Sequence, residues 1–212
     1  MIKVILCDDH ALIRRGIRDT LSDASDIEVV GEAGDYSELR GLLRTKPCDV
    51  LVLDINMPGR NGLDVLHVLK DEGSPIKVLV VSMYPEDQYA IRALRAGAFG
   101  YVNKGGDPAA IVAAVRTVAQ GRKYVTPEIA QMLVESLTTP VNENAHEKLS
   151  DRELQTLVLI ASGKRLSDIA QELMLSPKTV SVYRSRVLEK LGLANNAEMT
   201  VYAIRHGLVG ET

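Results

Sequence analysis

Five residues with chemically active side chains follow short apolar runs in the first half of the chain. They are Asp8, Asp9, Asp54, Ser82 and Lys104. The runs cover residues 2–7, 49–53, 77–81 and 99–103. Each run is nearly all apolar, as expected of strands that are buried on both faces of a parallel sheet. Because functional groups of a doubly wound sheet collect at the carboxyl ends of its strands, we expect these side chains to line one pocket.

The chemistry that such a pocket would perform is phosphoryl transfer to a carboxylate. Three carboxylates within a few ångströms repel one another, and a divalent cation relieves that repulsion. Oxygen ligands suit Mg²⁺, which is usually held by one or two carboxylates plus phosphate oxygens. We therefore predict that Asp54 is a nucleophile that forms an acyl phosphate. The Mg²⁺ ion, Lys104 and the Ser82 hydroxyl would stabilise different phosphoryl oxygens.

The elements that must position this pocket alternate between strands and helices through about residue 121. Helical patterns cover residues 10–22 and 37–45, and a strand pattern covers residues 28–33 between them. The βα unit recurs five times, which predicts a parallel sheet with helices on both faces. Asp107 as the N-cap and Gly121 as the stop signal delimit the last helix of this region.

A second region has helical patterns only. It opens with a predicted capping box, in which Ser150 and Glu153 satisfy each other's free backbone amides. A short helix over residues 166–173, a tight turn and a longer helix over residues 177–191 are typical of a helix-turn-helix. The predicted organisation is a first domain over residues 1–122, a linker with one helix over residues 123–147, and a DNA-binding domain over residues 148–212.

Composition and charge narrow the classes of function. The 212 residues are 46% hydrophobic and 25% charged, as in an ordinary globular protein. No apolar run approaches the roughly 18 residues of a membrane span, so we expect a cytoplasmic protein without a membrane partner. Residues 148–212 carry 9 Lys and Arg against 7 Asp and Glu, whereas the rest of the chain carries 16 against 21. The positive second region weakly favours a polyanionic partner.

Four segments of the first region resemble the signature segments of bacterial response-regulator receiver domains. They are Cys7-Asp8-Asp9-His10, Leu53-Asp54-Ile55-Asn56-Met57-Pro58-Gly59, Val81-Ser82 and Gly100-Tyr101-Val102-Asn103-Lys104. The resemblance implies a flavodoxin-like α/β fold with a doubly wound sheet of five parallel strands in the order 2-1-3-4-5. It also implies that a partner sensor histidine kinase phosphorylates Asp54.

The same resemblance assigns roles to the other pocket residues. The implied Mg²⁺ ligands are Asp9, Asp54, the backbone carbonyl of Asn56 and, largely through water, Asp8. Ser82 would move to the phosphoryl group, and Tyr101 would change rotamer with it. A rotamer change of this kind would couple a local change of charge to a dimerisation surface.

The second region resembles the LuxR-type helix-turn-helix. The resemblance rests on Leu149-Ser150-Asp151-Arg152-Glu153, Asp168-Ile169-Ala170, Ser176-Pro177-Lys178-Thr179-Val180 and Lys190-Leu191-Gly192. Together the two resemblances identify the chain as a member of the NarL/FixJ subfamily of response regulators, which implies a transcription factor.

The longer helix of the second region is the expected reader of double-stranded DNA. The side chains that could reach base edges are those of Lys178, Ser181, Val182 and Ser185. The candidates for phosphate contact are Thr179, Arg184, Arg186 and Lys190. Because one such domain offers a small interface, we expect a homodimer, formed on activation, that binds repeated half-sites of a promoter.

Two other functions use some of the same features. An aspartyl phosphotransferase enzyme would also combine an aspartyl nucleophile with Mg²⁺, but Asn56 stands where a second catalytic acid would follow the nucleophile. A phosphorylation-controlled adaptor would bind protein through the second region, whereas the basic residues of the longer helix favour DNA. We therefore predict a regulator whose only catalysis is phosphoryl uptake and loss at Asp54.

Overall fold

The computed structural model describes residues 1–57, 59–83, 86–138 and 145–209. The chain divides into two compact units, Met1–Ser136 and Leu137–Thr212. The division lies within the predicted linker 123–147. Residues 139–144 of that linker, and Pro58 of the second signature segment, are outside the described residues. The finer domain boundaries stay a prediction.

The first unit contains a five-stranded parallel sheet in the order β2-β1-β3-β4-β5. Its strands are β1 (Ile2–Cys7), β2 (Ile27–Ala33), β3 (Val50–Leu53), β4 (Lys77–Ser82) and β5 (Gly100–Asn103). The predicted fold class and strand order are confirmed. Strands β3 and β5 each begin one residue later than the apolar runs suggested, and β4 includes Ser82.

Helices alternate with these strands or follow them, and the last of these helices extends two residues past the boundary between the units. They are α1 (Ala11–Ser22), α2 (Tyr36–Thr45), α3 (Gly62–Asp71), α4 (Glu86–Ala96), α5 (Pro108–Ala119) and α6 (Pro127–Thr138). Every residue of β3 is buried, which explains its continuous apolar sequence. On one face, α1 and α5 contribute Ile17, Leu21, Ile111 and Val115 to a core shared with the strands. The predicted N-cap Asp107 accepts a hydrogen bond from the Ala109 amide.

The second unit is helical in its described residues. It comprises a 3₁₀ helix (Ala145–Lys148), α7 (Asp151–Ala161), α8 (Leu166–Glu172), α9 (Pro177–Leu191) and α10 (Asn196–Arg205). Ser150 and Glu153 form the predicted capping box at the start of α7. Met174 has a φ of 50° in the tight turn between α8 and α9, and Gly192 ends α9 in the left-handed conformation. Among the described residues, no helix is both long and apolar enough to span a membrane.

Candidate functional site

Backbone hydrogen bonds between strand ends hold the predicted pocket together. The Asp54 amide donates to the Cys7 carbonyl at 2.8 Å, which places Asp54 beside the end of β1. The Lys104 amide donates to the Ser82 carbonyl at 2.8 Å, which ties the end of β5 to the end of β4. These bonds continue the parallel ladders by one residue past the strands. The predicted convergence of strand-end side chains therefore follows from backbone geometry.

Lys104 forms two ion pairs at the centre of the pocket. Its Nζ lies 2.6 Å from Asp8 Oδ2 and 2.9 Å from Asp54 Oδ2. The three side chains are only 3–4% exposed. One buried ammonium group thus partly compensates two buried carboxylates, and the balance of charge in this part of the pocket is negative.

The environment makes Asp54 an unusually basic carboxylate. Its pKa is raised to about 6, chiefly by burial and also by the neighbouring Asp8 charge. The Lys104 ammonium opposes both effects, but it does not outweigh the loss of hydration. The ionised form of such a carboxylate is stabilised by any additional positive charge that approaches it.

One carboxylate oxygen of Asp54 faces no donor from the described part of the chain. Asp54 Oδ1 is buried and accepts no hydrogen bond there, although a buried acceptor normally has a partner. One ligand atom from each of Asp8, Asp9, His10 and Asp54 lies within 4.8 Å of the others. A buried, unsatisfied oxygen among three carboxylates fits a divalent cation with oxygen ligands, and Mg²⁺ is of that kind.

The remaining predicted receiver residues lie in β4, in β5 and in the segment that follows β3. Ser82 is the last residue of β4 and is 1% exposed. Tyr101 lies in β5 with its side chain fully buried. Asn56 is half-buried and lies two residues beyond Asp54 in the segment that follows β3. Ser82 and Asn56 therefore lie at or beyond the carboxyl ends of their strands, whereas Tyr101 is the second residue of β5.

His10 is a member of the cluster that the sequence argument did not assign. Its Nδ1 lies 2.7 Å from Asp9 Oδ1 and 3.7 Å from Asp8 Oδ1. Asp8 in turn accepts a hydrogen bond from the His10 backbone amide at 2.8 Å. The available sequence signal was a histidine directly after two aspartates, at the start of a helix where histidine is not a favoured cap.

The exposed face of α9 is the second predicted site. Val180 and Val187 are buried on the inner face of this helix, while Tyr183 and Leu191 are half-buried. The exposed predicted DNA-contacting residues are Lys178, Ser181, Val182, Ser185, Arg186 and Lys190. The helical periodicity thus separates a core face from a polar face.

Three predicted phosphate contacts are engaged within the second unit. Arg184 Nε donates to Asn196 Oδ1 at 2.6 Å. Lys190 Nζ lies 2.6 Å from Oε2 of the buried Glu153. Thr179 is half-buried, and its hydroxyl lies 2.8 Å from the Ser176 hydroxyl at the N-cap. Arg186, the fourth predicted phosphate contact, is exposed.

Two protein-family models match this chain. The model described as the response regulator receiver domain matches residues 4–116. The model described as bacterial regulatory proteins of the luxR family matches residues 147–203. The first match covers the strand-end pocket, and the second covers α7 to α9 and most of α10.

Curated relatives match the chain over nearly its whole length. Response regulator UvrY of Escherichia coli strain K12 is 39% identical over 209 residues, covering 98% of this chain and 96% of the relative. Response regulator GacA of Pseudomonas syringae pv. syringae strain B728a is 40% identical over 210 residues, covering 99% and 98%. The similarity therefore extends across both units.

Solved structures of similar sequence share the fold. RcsB from Salmonella enterica serovar Typhimurium, bound to promoter rprA in the presence of the phosphomimetic BeF₃⁻, matches with a TM-score of 0.64 and 27% identity. That match covers 95% of this chain and 97% of RcsB. The response regulator ChrA of a heme-sensing two-component system matches with a TM-score of 0.52 and 32% identity, covering 98% of each chain.

Proposed function

This chain belongs to the response regulators that join a receiver domain to a LuxR-type DNA-binding domain, and we propose that Asp54 is the residue through which it is switched. It is a transcriptional regulator of a two-component system. Under the proposal, a sensor histidine kinase donates a phosphoryl group to Asp54. The observation that carries the proposal is the buried Asp54 carboxylate, with Lys104 at one oxygen and no donor from the described residues at the other.

The phosphorylation step would use the Asp54 carboxylate as a nucleophile. One of its oxygens would form a bond to phosphorus while the bond from phosphorus to the donor breaks, giving an acyl phosphate. Lys104 Nζ, already 2.9 Å from Asp54 Oδ2, would stabilise the charge of the transferred group. The Ser82 hydroxyl would donate to another phosphoryl oxygen, and Tyr101 would change rotamer in response.

The pocket is also proposed to hold Mg²⁺, which supplies positive charge to the phosphoryl oxygens when bound. The residues that would bind it are Asp9, Asp54, the Asn56 backbone carbonyl and, through water, Asp8. Support comes from the close approach of the three carboxylates and from the unsatisfied Asp54 Oδ1. The oxygen-rich donor set is of the type that Mg²⁺ prefers.

The output step is proposed to be dimerisation and promoter binding. The exposed face of α9 would enter the major groove, as the second helix of a helix-turn-helix does. Base contacts would come from Lys178, Ser181, Val182 and Ser185, and phosphate contacts from Thr179, Arg184, Arg186 and Lys190. Phosphorylation would raise the affinity of a homodimer for repeated half-sites. The RcsB complex with promoter rprA supports this class of partner by similarity.

Beyond uptake and loss of the phosphoryl group at Asp54, we propose no enzymatic activity. A phosphotransferase acting on external substrates would turn over phosphomonoesters. An adaptor that binds protein would show no affinity for promoter DNA. Both outcomes can be measured with the full chain. The cytoplasmic location expected from the sequence is part of the same proposal.

The decisive experiment treats the full chain with acetyl phosphate and Mg²⁺. Intact mass should show the gain of one phosphoryl group, and light scattering of the same samples should show dimer formation. Asp54→Asn should gain none, whereas Asp71→Asn, which removes an exposed carboxylate at the end of α3, should gain one as the unmodified sequence does. Normal labelling of Asp54→Asn would contradict the assignment of the phosphoacceptor.

A further inference from the structure

His10 contacts the pocket although its helix does not require a histidine. It is the N-cap residue of α1, a position that favours side chains able to accept a hydrogen bond from the first turn. The His10 side chain forms no such bond. Its Nδ1 lies 2.7 Å from Asp9 Oδ1 instead. The imidazole therefore contacts the Asp9 carboxylate and does not cap the helix.

The spacing of the cluster is compatible with one shared cation. One ligand atom from each of Asp8, Asp9, His10 and Asp54 lies within 4.8 Å of the others. Opposite ligands of an ion with bonds of about 2.1 Å are about 4.2 Å apart, so sub-ångström adjustments would suffice. The buried Asp54 Oδ1 is an independent sign, because it belongs to a residue of this cluster and accepts no hydrogen bond from the described residues.

The charges around the cluster favour a cation on the side of His10. Lys104 pairs with Oδ2 of both Asp8 and Asp54, so its positive charge is shared between those two carboxylates. Asp9 forms its 2.7 Å contact with His10, and the Asp9 and His10 side chains are 22% and 56% exposed. An ion arriving from solvent would therefore meet Asp9 and His10 first.

We propose that His10 is a fourth protein ligand of this cation site and gives it affinity for divalent transition metals such as Zn²⁺. The inference rests on the proposed Mg²⁺ pocket and concerns which ions that pocket accepts. Imidazole nitrogen is a good ligand for zinc, nickel and copper, whereas Mg²⁺ prefers oxygen and retains several waters. The histidine therefore strengthens transition-metal binding and leaves Mg²⁺ binding nearly unchanged.

The test is calorimetric titration of the full chain with Zn²⁺ and, separately, with Mg²⁺. Every protein carries His206→Ala, because the His146 and His206 rings lie 5.3 Å apart and could bind zinc themselves. His10→Asn keeps a polar side chain at the N-cap but offers no imidazole nitrogen. We expect His10→Asn to lower the Zn²⁺ affinity about tenfold or more and to leave the Mg²⁺ affinity within about twofold.

The matched control is His67→Ala, which removes an exposed histidine of α3 and should change neither affinity. In ¹⁵N-labelled protein, the His10 Nδ1 resonance should shift when Zn²⁺ is added. An unchanged ratio of Zn²⁺ to Mg²⁺ affinity in His10→Asn, or an unshifted Nδ1, would overturn the role of His10. Absence of binding by both ions would instead contradict the Mg²⁺ pocket, so the two failures are distinguishable.

Discussion

The strand-end pocket and the exposed face of α9 differ in what fixes their side chains. In the pocket, Asp8, Asp54 and Lys104 are almost completely buried, and their backbones are tied to neighbouring strands. On α9, Val182 is 43% exposed and lies on a helix face that also carries the exposed Ser181 and Ser185. The proposed phosphoryl transfer depends on sub-ångström placement, and it is assigned to the pocket. Contacts that can adapt to a partner are located on α9.

The largest expected effect on stability is at Gly62, which lies against backbone atoms next to the pocket. A Cβ added at Gly62, the first residue of α3, would lie 2.1 Å from the Asp54 carbonyl oxygen and 2.9 Å from Ile55 Cα. Because these are backbone atoms, the clash can be relieved only by moving the strand end itself. Gly62→Ala should lower the free energy of unfolding by about 3 kcal/mol or more, measured by urea denaturation.

The matched control for this substitution is Gly41→Ala in α2, where an added Cβ meets no atom within 4 Å. Alanine at a helical, uncrowded glycine should stabilise the chain by about 0.5–1 kcal/mol. If Gly62→Ala were as well tolerated as Gly41→Ala, the close packing of α3 against the end of β3 would be wrong.

The second prediction concerns the charge that the pocket holds before phosphorylation. The folded chain holds the Asp54 proton more tightly than the unfolded chain, because the pKa is raised from 3.8 to about 6. The folded state therefore binds more protons as the pH falls through this range, and stability rises toward low pH. The cost of ionising Asp54 is fully present above about pH 6 and is relieved between about pH 6 and 4.

Asp54→Asn removes that cost. We expect the variant to be about 1–3 kcal/mol more stable than the unmodified chain at pH 7.5 without metal, with the gain shrinking toward pH 5. The gain stays below the full linkage value because Lys104 loses one of its two partners. Chemical denaturation at the two pH values measures it. A variant that is less stable at pH 7.5 would show that the Lys104 ion pair outweighs the burial of the charge.

The sequence was sufficient to predict the pocket because its geometry follows from strand order. Once Asp8, Asp54, Ser82 and Lys104 are placed at the ends of parallel strands, the ladders bring them together. The position of His10 could not be derived in this way. It depends on a side-chain rotamer at a helix N-cap, and a side chain at that position can turn toward the helix or away from it.

On α9, the sequence determines fewer of the side-chain contacts. Helical periodicity separated the buried face from the exposed face, as Val180 and Val187 show. It did not predict that Lys190 pairs with Glu153 or that Arg184 donates to Asn196. Those contacts join different helices, so they depend on how the helices pack. Long side chains with several rotamers allow such alternatives.

Lys190 and Arg186 differ in their surroundings, because Lys190 pairs with Glu153 whereas Arg186 is exposed on α9. Glu153 is 2% exposed, and although burial by itself would raise the pKa of its carboxyl, Lys190 and Ser150 together hold that pKa below the usual value. Lys190→Met should therefore lower the free energy of unfolding by about 1–2 kcal/mol, because the buried Glu153 carboxylate loses a partner. The cost stays modest because Lys190 is itself partly exposed. Urea denaturation of the full chain measures this cost.

Promoter binding by Lys190→Met and Arg186→Ala distinguishes a basic side chain that stabilises the fold from one that contacts phosphate. Arg186→Ala should reduce the slope of log affinity against log salt by about one, because one phosphate contact is lost. Lys190→Met should reduce the slope by a similar amount if, as proposed, Lys190 exchanges Glu153 for phosphate on binding. An unchanged slope in Lys190→Met would show that Glu153 retains the lysine in the complex.

The smallest expected effect is at Val182, an apolar side chain that is 43% exposed on the polar face of α9. Val182→Ala should change the free energy of unfolding by less than about 0.5 kcal/mol, because it leaves no cavity in the core. Promoter affinity should fall by about 1 kcal/mol where the valine packs on a thymine methyl group. Val134→Ala, which truncates a 61% exposed valine in α6, should change neither quantity. Replacing thymine by uracil removes the methyl group, so it should abolish the difference in promoter affinity between the unmodified chain and Val182→Ala. That result would show that an exposed residue of α9 reads the DNA sequence, a task that the buried pocket residues cannot perform.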